Sequence, residues 1–188
     1  MLFRSGEFKP FFRDLLKQEY AVNDAAGFLE LFAETPTLMT HVVQADDTQL
    51  KALAAAGHTV IHCPVSNRLL GNGAIDLDAL ERHGLPWLTG TDGLSSNYTL
   101  DLFEEMKIAL FMHSETPLIP LARRLLNSVT VEAAKALRLN CGEIAEGRDA
   151  DMLWLELDHL PNSETPLHLL LQRYPILQIF IDGTPRKG

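Results

Sequence analysis

The sequence predicts an α/β protein with parallel strands, and two observations lead to this class. Segments of strand and helix character alternate three times between residues 37 and 113. The strand segments are short and apolar on both faces, as parallel strands buried between helices are. Alternation of this kind is typical of parallel strands joined by right-handed helical crossovers.

The first alternation follows two predicted N-terminal helices, Phe8–Leu16 and Asn23–Ala33, the second with Asn23 or Asp24 as its cap. A strand is then predicted over Leu38–Val43. Asp46 and Asp47 offer an N-cap for the next helix, which Gly57 ends.

The second and third alternations use the same signals. A strand over Thr59–Cys63 is closed by Pro64, and the helix "IDLDALERHG" ends at Gly84. The segment "LPWLTGTDG" predicts the third strand, and "TLDLFEEMKIALFMH" predicts a strong helix.

A change of character follows Cys141. Before it, two more helices are predicted over Ile119–Asn127 and Val131–Leu137. After it, "GEIAEGRDADMLWLELD" and "ILQIFIDGTPRKG" have the pattern of β-strands bounded by turns, with a helix over Thr165–Tyr174 between them. We therefore expect a separate, mostly β layer at the C-terminal end.

Composition excludes several classes of partner. The chain has 188 residues, of which 46% are hydrophobic and 22% charged, with a formal net charge of −9. This acidic balance argues against nucleic acid or an anionic membrane as the main partner. There are two cysteines without a CxxC pattern, no apolar run long enough to cross a membrane and no secretory signal. These features predict a cytoplasmic protein.

Polar residues follow the three predicted strands, and they are the candidates for chemistry. The last residues of the first strand include His41, and those of the second include His62. The third strand is followed by Asp92. Further polar residues come after the second and third strands: Ser66, Asn67, Ser95, Ser96 and Asn97. In a parallel α/β barrel the carboxyl ends of the strands face one mouth, where active sites lie. The sequence therefore predicts that these groups meet, although they are far apart along the chain.

Each candidate also has a purely structural interpretation. His41 could serve only as a hydrogen-bonded residue at a strand end, and Asp92–Gly93 is a common turn pair. Ser66 and Asn67 could make local turns, and Cys63 is typical of a small buried hydrophobe. Glu104 and Glu105, near the start of a helix, are expected on a solvated face where the helix dipole favours acids.

Three motifs in order carry a resemblance to a known family: "HCPVSNRLLGNG" (62–73), "GTDGLSSNYTLDLFEEM" (90–106) and "GEIAEGRDADMLWLE" (142–156). They resemble the last third of the amidohydrolase superfamily, in its deaminase and chlorohydrolase branch, and are most similar to the aminofutalosine deaminase group. The resemblance implies a (β/α)8 TIM-type barrel with strands six to eight present within residues 1–140, and strands of a flanking β-sandwich with a helix within 141–188.

The same resemblance implies roles for individual residues. Asp92 would bind a divalent metal, zinc or iron, and take a proton from its water, while His41 would hydrogen-bond that water or the tetrahedral intermediate. Such a metal lowers the pKa of its water from about 15.7 towards about 7. Ser66, Asn67, Ser96 and Asn97 are candidates for contact with a nucleoside-like small-molecule substrate.

One departure from the family pattern shapes the functional prediction. Family members carry an H-x-H pair on strand one and a strand-five His with a nearby Glu, and this sequence has no H-x-H and no such pair before His41. A catalytic zinc site needs about three protein ligands. We therefore expect the C-terminal half of an enzyme, which pairs with a complementary N-terminal half or with itself as a homo-oligomer.

The implied reaction of the parent enzyme is hydrolytic deamination of an adenine-bearing compound, 6-amino-6-deoxyfutalosine to futalosine in menaquinone biosynthesis. Adenosine-type or S-adenosylhomocysteine-type deamination is the near alternative, and chlorohydrolase chemistry the more distant one. The second hypothesis is that this chain by itself is a catalytically inactive fragment or pseudo-enzyme domain. The missing ligand motifs favour this hypothesis.

Overall fold

A three-stranded parallel sheet carries the candidate residues. The structure, a computed structural model, describes residues 10–17 and 25–186. Strands β1 (Leu38–Thr40), β2 (Thr59–His62) and β3 (Trp87–Thr89) lie in that order, with β2 in the centre. Their register pairs Met39 with Val60 and Val60 with Trp87. The predicted α/β class and the parallel strands are confirmed.

Helices connect and follow these strands. Their bounds are α1 (Ala25–Glu30), α2 (Asp47–Ala55), α3 (Pro64–Leu69), α4 (Leu77–Arg82), α5 (Leu102–Met112), α6 (Leu118–Val129) and α7 (Val131–Leu137). A π-helical turn at Phe11–Leu15 precedes them. The predicted helix Phe8–Leu16 is described only in part, and the proposed caps Asn23 and Asp24 lie outside the described residues.

Local sequence accounts for where these helices begin. Oδ1 of Asp46 accepts a hydrogen bond from the Gln49 amide, and the Asp46 amide donates one to Oε1 of Gln49, which is a complete capping box for α2. Asp101 caps α5 through the Phe103 amide at 2.9 Å. Helix α3 was not predicted, because Pro64 was interpreted as the end of a strand. Proline at the first helical position lacks only an N–H that would be unpaired anyway.

The core lies between the parallel sheet and its helices. Val60, Leu80, Leu121 and Leu125 are completely buried there. Burial of apolar area of this kind contributes about 25 cal/mol per Å². This burial therefore stabilises the parallel strands whose carboxyl ends carry the candidate site.

A second sheet confirms the predicted C-terminal strands. Strands β4 (Met152–Leu155), β5 (Ile176–Ile181) and β6 (Thr184–Arg186) are antiparallel, with β5 in the centre. Helix α8 (Thr165–Leu171) lies between β4 and β5 in the chain. Within the described residues, no helix is both long and apolar enough to cross a membrane.

The first strand is shorter than predicted, and its length matters for the site. The prediction ran to Val43, but β1 ends at Thr40 because His41 and Val42 have φ angles of +72° and +53°. A residue in the left-handed region cannot continue a strand. The chain turns at His41, so the His41 side chain does not follow the alternation of side chains between the two faces of the sheet.

Candidate active site

His41 and Asp92 meet at the carboxyl ends of β1 and β3. Nε2 of His41 lies 3.5 Å from Oδ2 of Asp92, with 34% and 31% of the two side chains exposed. The central strand β2 separates the two strands, so the contact crosses the end of the sheet. An imidazole and a carboxylate in contact, both open to solvent, can together hold a ligand and move a proton.

Left-handed backbone places both side chains. Asp92 has a φ of +58°, and His41 and Val42 are also in this region. Aspartate tolerates it, whereas a β-branched valine is a genuine outlier. The backbone amide of His41 is fixed by a hydrogen bond to the Ile61 carbonyl at 2.9 Å, so the turn begins from the sheet itself.

Two hydroxyl groups surround one oxygen of Asp92. Ser66 donates to Oδ2 at 2.7 Å and Ser96 donates to the same atom at 2.8 Å. The amide of Gly93 donates to Oδ1 at 2.8 Å. The Ser66 hydroxyl is the largest cause that lowers the pKa of Asp92, with smaller contributions from Ser96, Gly93 and the charge of His41. Asp92 is therefore ionised at neutral pH.

The structure brings together four of the six predicted site residues: His41, Asp92, Ser66 and Ser96. Asn97 is buried, and its side chain forms hydrogen bonds within the protein: its Nδ2 donates to the Thr91 carbonyl at 2.6 Å. Asn67 is also buried, and its side-chain amide has no partner within the described part of the chain. Substrate contact by these serines and asparagines stays a prediction.

Glu105 corrects one expectation. It was predicted on a solvated face, but it is completely buried on α5. Its two oxygens accept hydrogen bonds from the Val65 amide and from Nδ2 of Asn97. Burial raises the pKa of Glu105, while these two donors lower it. The periodicity of α5 could have indicated this, because Met106 and Ala109 on the same helix are buried as well.

A contact between His62, the last residue of β2, and His113, which follows α5, was also missed. His62 is completely buried, and its Nε2 lies 3.1 Å from Nε2 of His113. Burial, with the charges of His113 and His41, lowers the pKa of His62 to about 3. His62 is therefore neutral at physiological pH. Cys63 is buried as predicted, and burial raises the pKa of its thiol to about 12, so it is not a nucleophile.

The described residues fit part of a metal site. Asp92 offers a carboxylate and His41 an imidazole, but no group of three His, Cys, Asp or Glu side chains within residues 10–17 and 25–186 could hold a metal ion. All seven histidines of the sequence lie in the described ranges. The residues described here do not complete a zinc site of about three protein ligands.

Two curated relatives of this chain are deaminases. An aminodeoxyfutalosine deaminase from Nitratiruptor is 42% identical over 181 residues, which cover 95% of this chain and 44% of the relative. A 5-methylthioadenosine/S-adenosylhomocysteine deaminase from Thermococcus sibiricus is 35% identical over 147 residues, which cover 76% of this chain and 35% of the relative. The chain thus spans less than half the length of these relatives.

Solved structures agree with the sequence comparison. The crystal structure of Helicobacter pylori aminofutalosine deaminase in complex with methylthio-coformycin superposes with a TM-score of 0.88 at 32% identity. The superposition covers 98% of this chain and 46% of that one. The similarity extends over the parallel sheet, the helices and the C-terminal antiparallel sheet. Residues 14–186 match the amidohydrolase family. The chain belongs to the amidohydrolase family.

Proposed function

We propose that the chain contributes His41 and Asp92 to the active site of a metal-dependent hydrolase that removes the amino group of an adenine-bearing small molecule. The observation that carries the proposal is the 3.5 Å contact of these two side chains across the ends of β1 and β3, in a chain 42% identical to an aminodeoxyfutalosine deaminase. Carboxyl ends of parallel strands are where barrel enzymes place their active sites.

The state of Asp92 suits this role. Its lowered pKa keeps it negatively charged at neutral pH, so it can hold a cation and has an unprotonated oxygen that can accept a proton. A divalent metal, when bound, supplies hydroxide at neutral pH. We assign to Asp92 the removal of a proton from the attacking water and its later delivery to the departing amine. His41 hydrogen-bonds the attacking oxygen.

For the substrate we propose 6-amino-6-deoxyfutalosine, which loses ammonia to give futalosine in menaquinone biosynthesis. Support comes from the Nitratiruptor relative, which is more similar and matches more of the chain than the Thermococcus relative does. Deamination of adenosine or S-adenosylhomocysteine is the second candidate, favoured by that Thermococcus enzyme at 35% identity. Chlorohydrolase chemistry remains a distant alternative.

We also propose how the chain fits the complete enzyme. Residues 1–140 would form strands six to eight of a (β/α)8 barrel, and residues 141–188 would form strands of the flanking β-sandwich. The other metal ligands, with zinc or iron as the metal, would come from outside the described residues. On this proposal the 188-residue chain is inactive until a complementary half completes the site.

Metal content tests whether the chain needs such a complement. We would measure zinc and iron per chain in the purified 188-residue protein and in its Asp92→Ala variant. The proposal predicts that neither holds metal near stoichiometry. Stoichiometric metal in the wild type that is lost from the variant would mean that this chain completes a site alone, and that part of the proposal would be wrong.

A chimera tests the substrate. The matching 181 residues of the Nitratiruptor enzyme would be replaced by this chain, and deamination followed by the change in ultraviolet absorbance of the purine. We expect a higher kcat/KM for 6-amino-6-deoxyfutalosine than for adenosine or S-adenosylhomocysteine. A preference for S-adenosylhomocysteine would favour the second candidate instead.

A further inference from the structure

Glu105 connects the first turn of helix α3 to the β3–α5 loop, and both segments contact Asp92. It lies in the first turns of α5 and is completely buried, which is rare for a carboxylate unless it is paired. Its Oε2 accepts the Val65 amide at 3.0 Å, and its Oε1 accepts Nδ2 of Asn97. Val65 lies at the start of α3 and Asn97 in the β3–α5 loop, so one side chain joins both segments.

Each contact of Glu105 lies one residue away from a group that fixes Asp92. Val65 precedes Ser66, and Asn97 follows Ser96, and both serine hydroxyls donate to Oδ2 of Asp92. The two hydroxyl oxygens are also 3.0 Å apart, so helix α3 and the β3–α5 loop meet at Asp92.

Asn97 supplies a third connection. The same Nδ2 that donates to Glu105 also donates to the Thr91 carbonyl at 2.6 Å, directly before Asp92. Its Oδ1 accepts the amides of Tyr98 and Thr99 at 2.7 Å and 3.2 Å. The Asn97 amide is therefore fixed on both sides, and it transmits the position of Glu105 to the backbone that carries Asp92.

We infer that Glu105 is a positioning residue for Asp92, which holds the first turn of α3 and the β3–α5 loop together so that Ser66, Ser96 and Asn97 fix the position of Asp92. Glu105 does not contact Asp92 in any hydrogen bond described. It acts through its neighbours, as residues that orient functional groups generally do. The inference rests on the proposed role of Asp92 in the site.

The chemistry requires two acceptors at Glu105. Both partners present N–H groups, and an ionised carboxylate accepts at both oxygens. In Glu105→Gln one oxygen becomes an NH2 group, which would face either the Val65 amide or the Asn97 amide with donor against donor. The variant keeps the volume of the side chain and breaks one of the two connections.

The test is an amide NMR comparison on the 188-residue chain. For Glu105→Gln we expect hydrogen exchange of the Val65 amide to accelerate at least about tenfold, the scale of one lost charged hydrogen bond, or the Asn97 side-chain resonances to move. In either case the Gly93 amide, which donates to Asp92 Oδ1 at 2.8 Å, should change its chemical shift. Glu104→Gln, on the same turn, should leave all three signals unchanged.

A second variant covers the case in which Glu105→Gln does not fold. Asn97→Ala removes the connection to Thr91 and keeps the Val65–Glu105 bond, so the Gly93 signal should shift while Val65 stays protected. The inference is overturned if the Gly93 amide is unchanged in a folded Glu105→Gln or Asn97→Ala chain. None of these signals requires catalysis, so absence of deaminase activity would count against the proposed function and not against this result.

Discussion

At the scale of single residues, three residues in or next to the candidate site have a strained backbone conformation. His41, Val42 and Asp92 all have φ angles between +53° and +72°. A non-glycine residue in such a conformation costs on the order of 1–3 kcal/mol, and it persists only where surrounding contacts enforce it. Here the enforcing contacts are visible: the Ile61 carbonyl on the His41 amide, and two serine hydroxyls on Asp92.

The Ser66 hydroxyl controls the protonation of Asp92. Replacing Ser66 with Ala removes the donor that contributes most to the lowered pKa, so the Asp92 pKa should rise towards its usual value. Carboxyl-carbon NMR titration of the folded chain measures this directly. Ser95→Ala is the matched control, because Ser95 is exposed and donates no hydrogen bond to Asp92 in the structure. An unchanged Asp92 titration in Ser66→Ala would contradict this description of the site.

The buried histidine predicts how stability depends on pH. His62 has a pKa of about 3 in the folded chain against 6.5 in the unfolded one, so between these values only the unfolded chain gains its proton. The free energy of unfolding should fall as the pH falls from about 6.5 towards 3, by up to about 1.4 kcal/mol per pH unit. Urea unfolding across this range should show a shallower decline for His62→Gln. Equal declines in both proteins would contradict the assignment to His62.

The sequence indicated the polar residues at the strand ends, including Ser66 and Ser96, but not the part that Glu105 plays among them. His41 and Asp92 could be predicted because each follows an apolar strand, a pattern visible within a few residues. The connecting role of Glu105 could not, because its partners Val65 and Asn97 are known only after the chain has folded. Acidic residues are common in the first turn of helices because they interact favourably with the helix dipole. This general preference made an exposed position the expected one for Glu105.

At the scale of secondary-structure elements, the helices and the short strands determine where the segments that carry the candidate site lie. Several helix bounds were predicted closely: α7 spans Val131–Leu137 as expected, and α4 ends before Gly84. The strands were predicted too long. β1 and β3 have three residues each, because left-handed residues and polar turns interrupt the apolar runs. A run of apolar residues indicates that a strand is present. The residue at which the strand ends depends on backbone angles that tertiary contacts impose.

A glycine after α7 tests how the C-terminal layer joins the helices. A Cβ on Gly142 would lie 2.7 Å from Cβ of Ala134 and 2.8 Å from the Thr130 carbonyl oxygen, with φ at +92°. Gly142→Ala should therefore lower the free energy of unfolding by about 1–3 kcal/mol beyond the cost of the backbone angle. Gly147→Ala is the control, because Gly147 has a φ of +82° and no heavy atom within 4 Å of the added carbon. Chemical denaturation with equal losses in both variants would contradict the close contact.

At the scale of the whole molecule, the parallel sheet and the C-terminal antiparallel sheet match relatives more than twice as long as this chain. The superposition on the Helicobacter pylori enzyme covers 98% of this chain and 46% of that one. The α/β class followed from alternation alone, whereas the barrel and its flanking sandwich were inferred from motifs. No local pattern in the sequence specifies how many strands complete a sheet, so that inference depends on the family.

The central claim is that Asp92 is a catalytic residue of a hydrolytic deaminase, and one measurement tests it most directly. We would determine kcat/KM for 6-amino-6-deoxyfutalosine with the chimera that carries this chain, with and without Asp92→Asn, using Asp101→Asn as a control for loss of an aspartate in the same loop. Positioned proton transfer contributes about 10²- to 10⁴-fold, so we predict a loss of that size for Asp92→Asn and a far smaller one for the control. A folded Asp92→Asn chimera as active as its parent would contradict the claim.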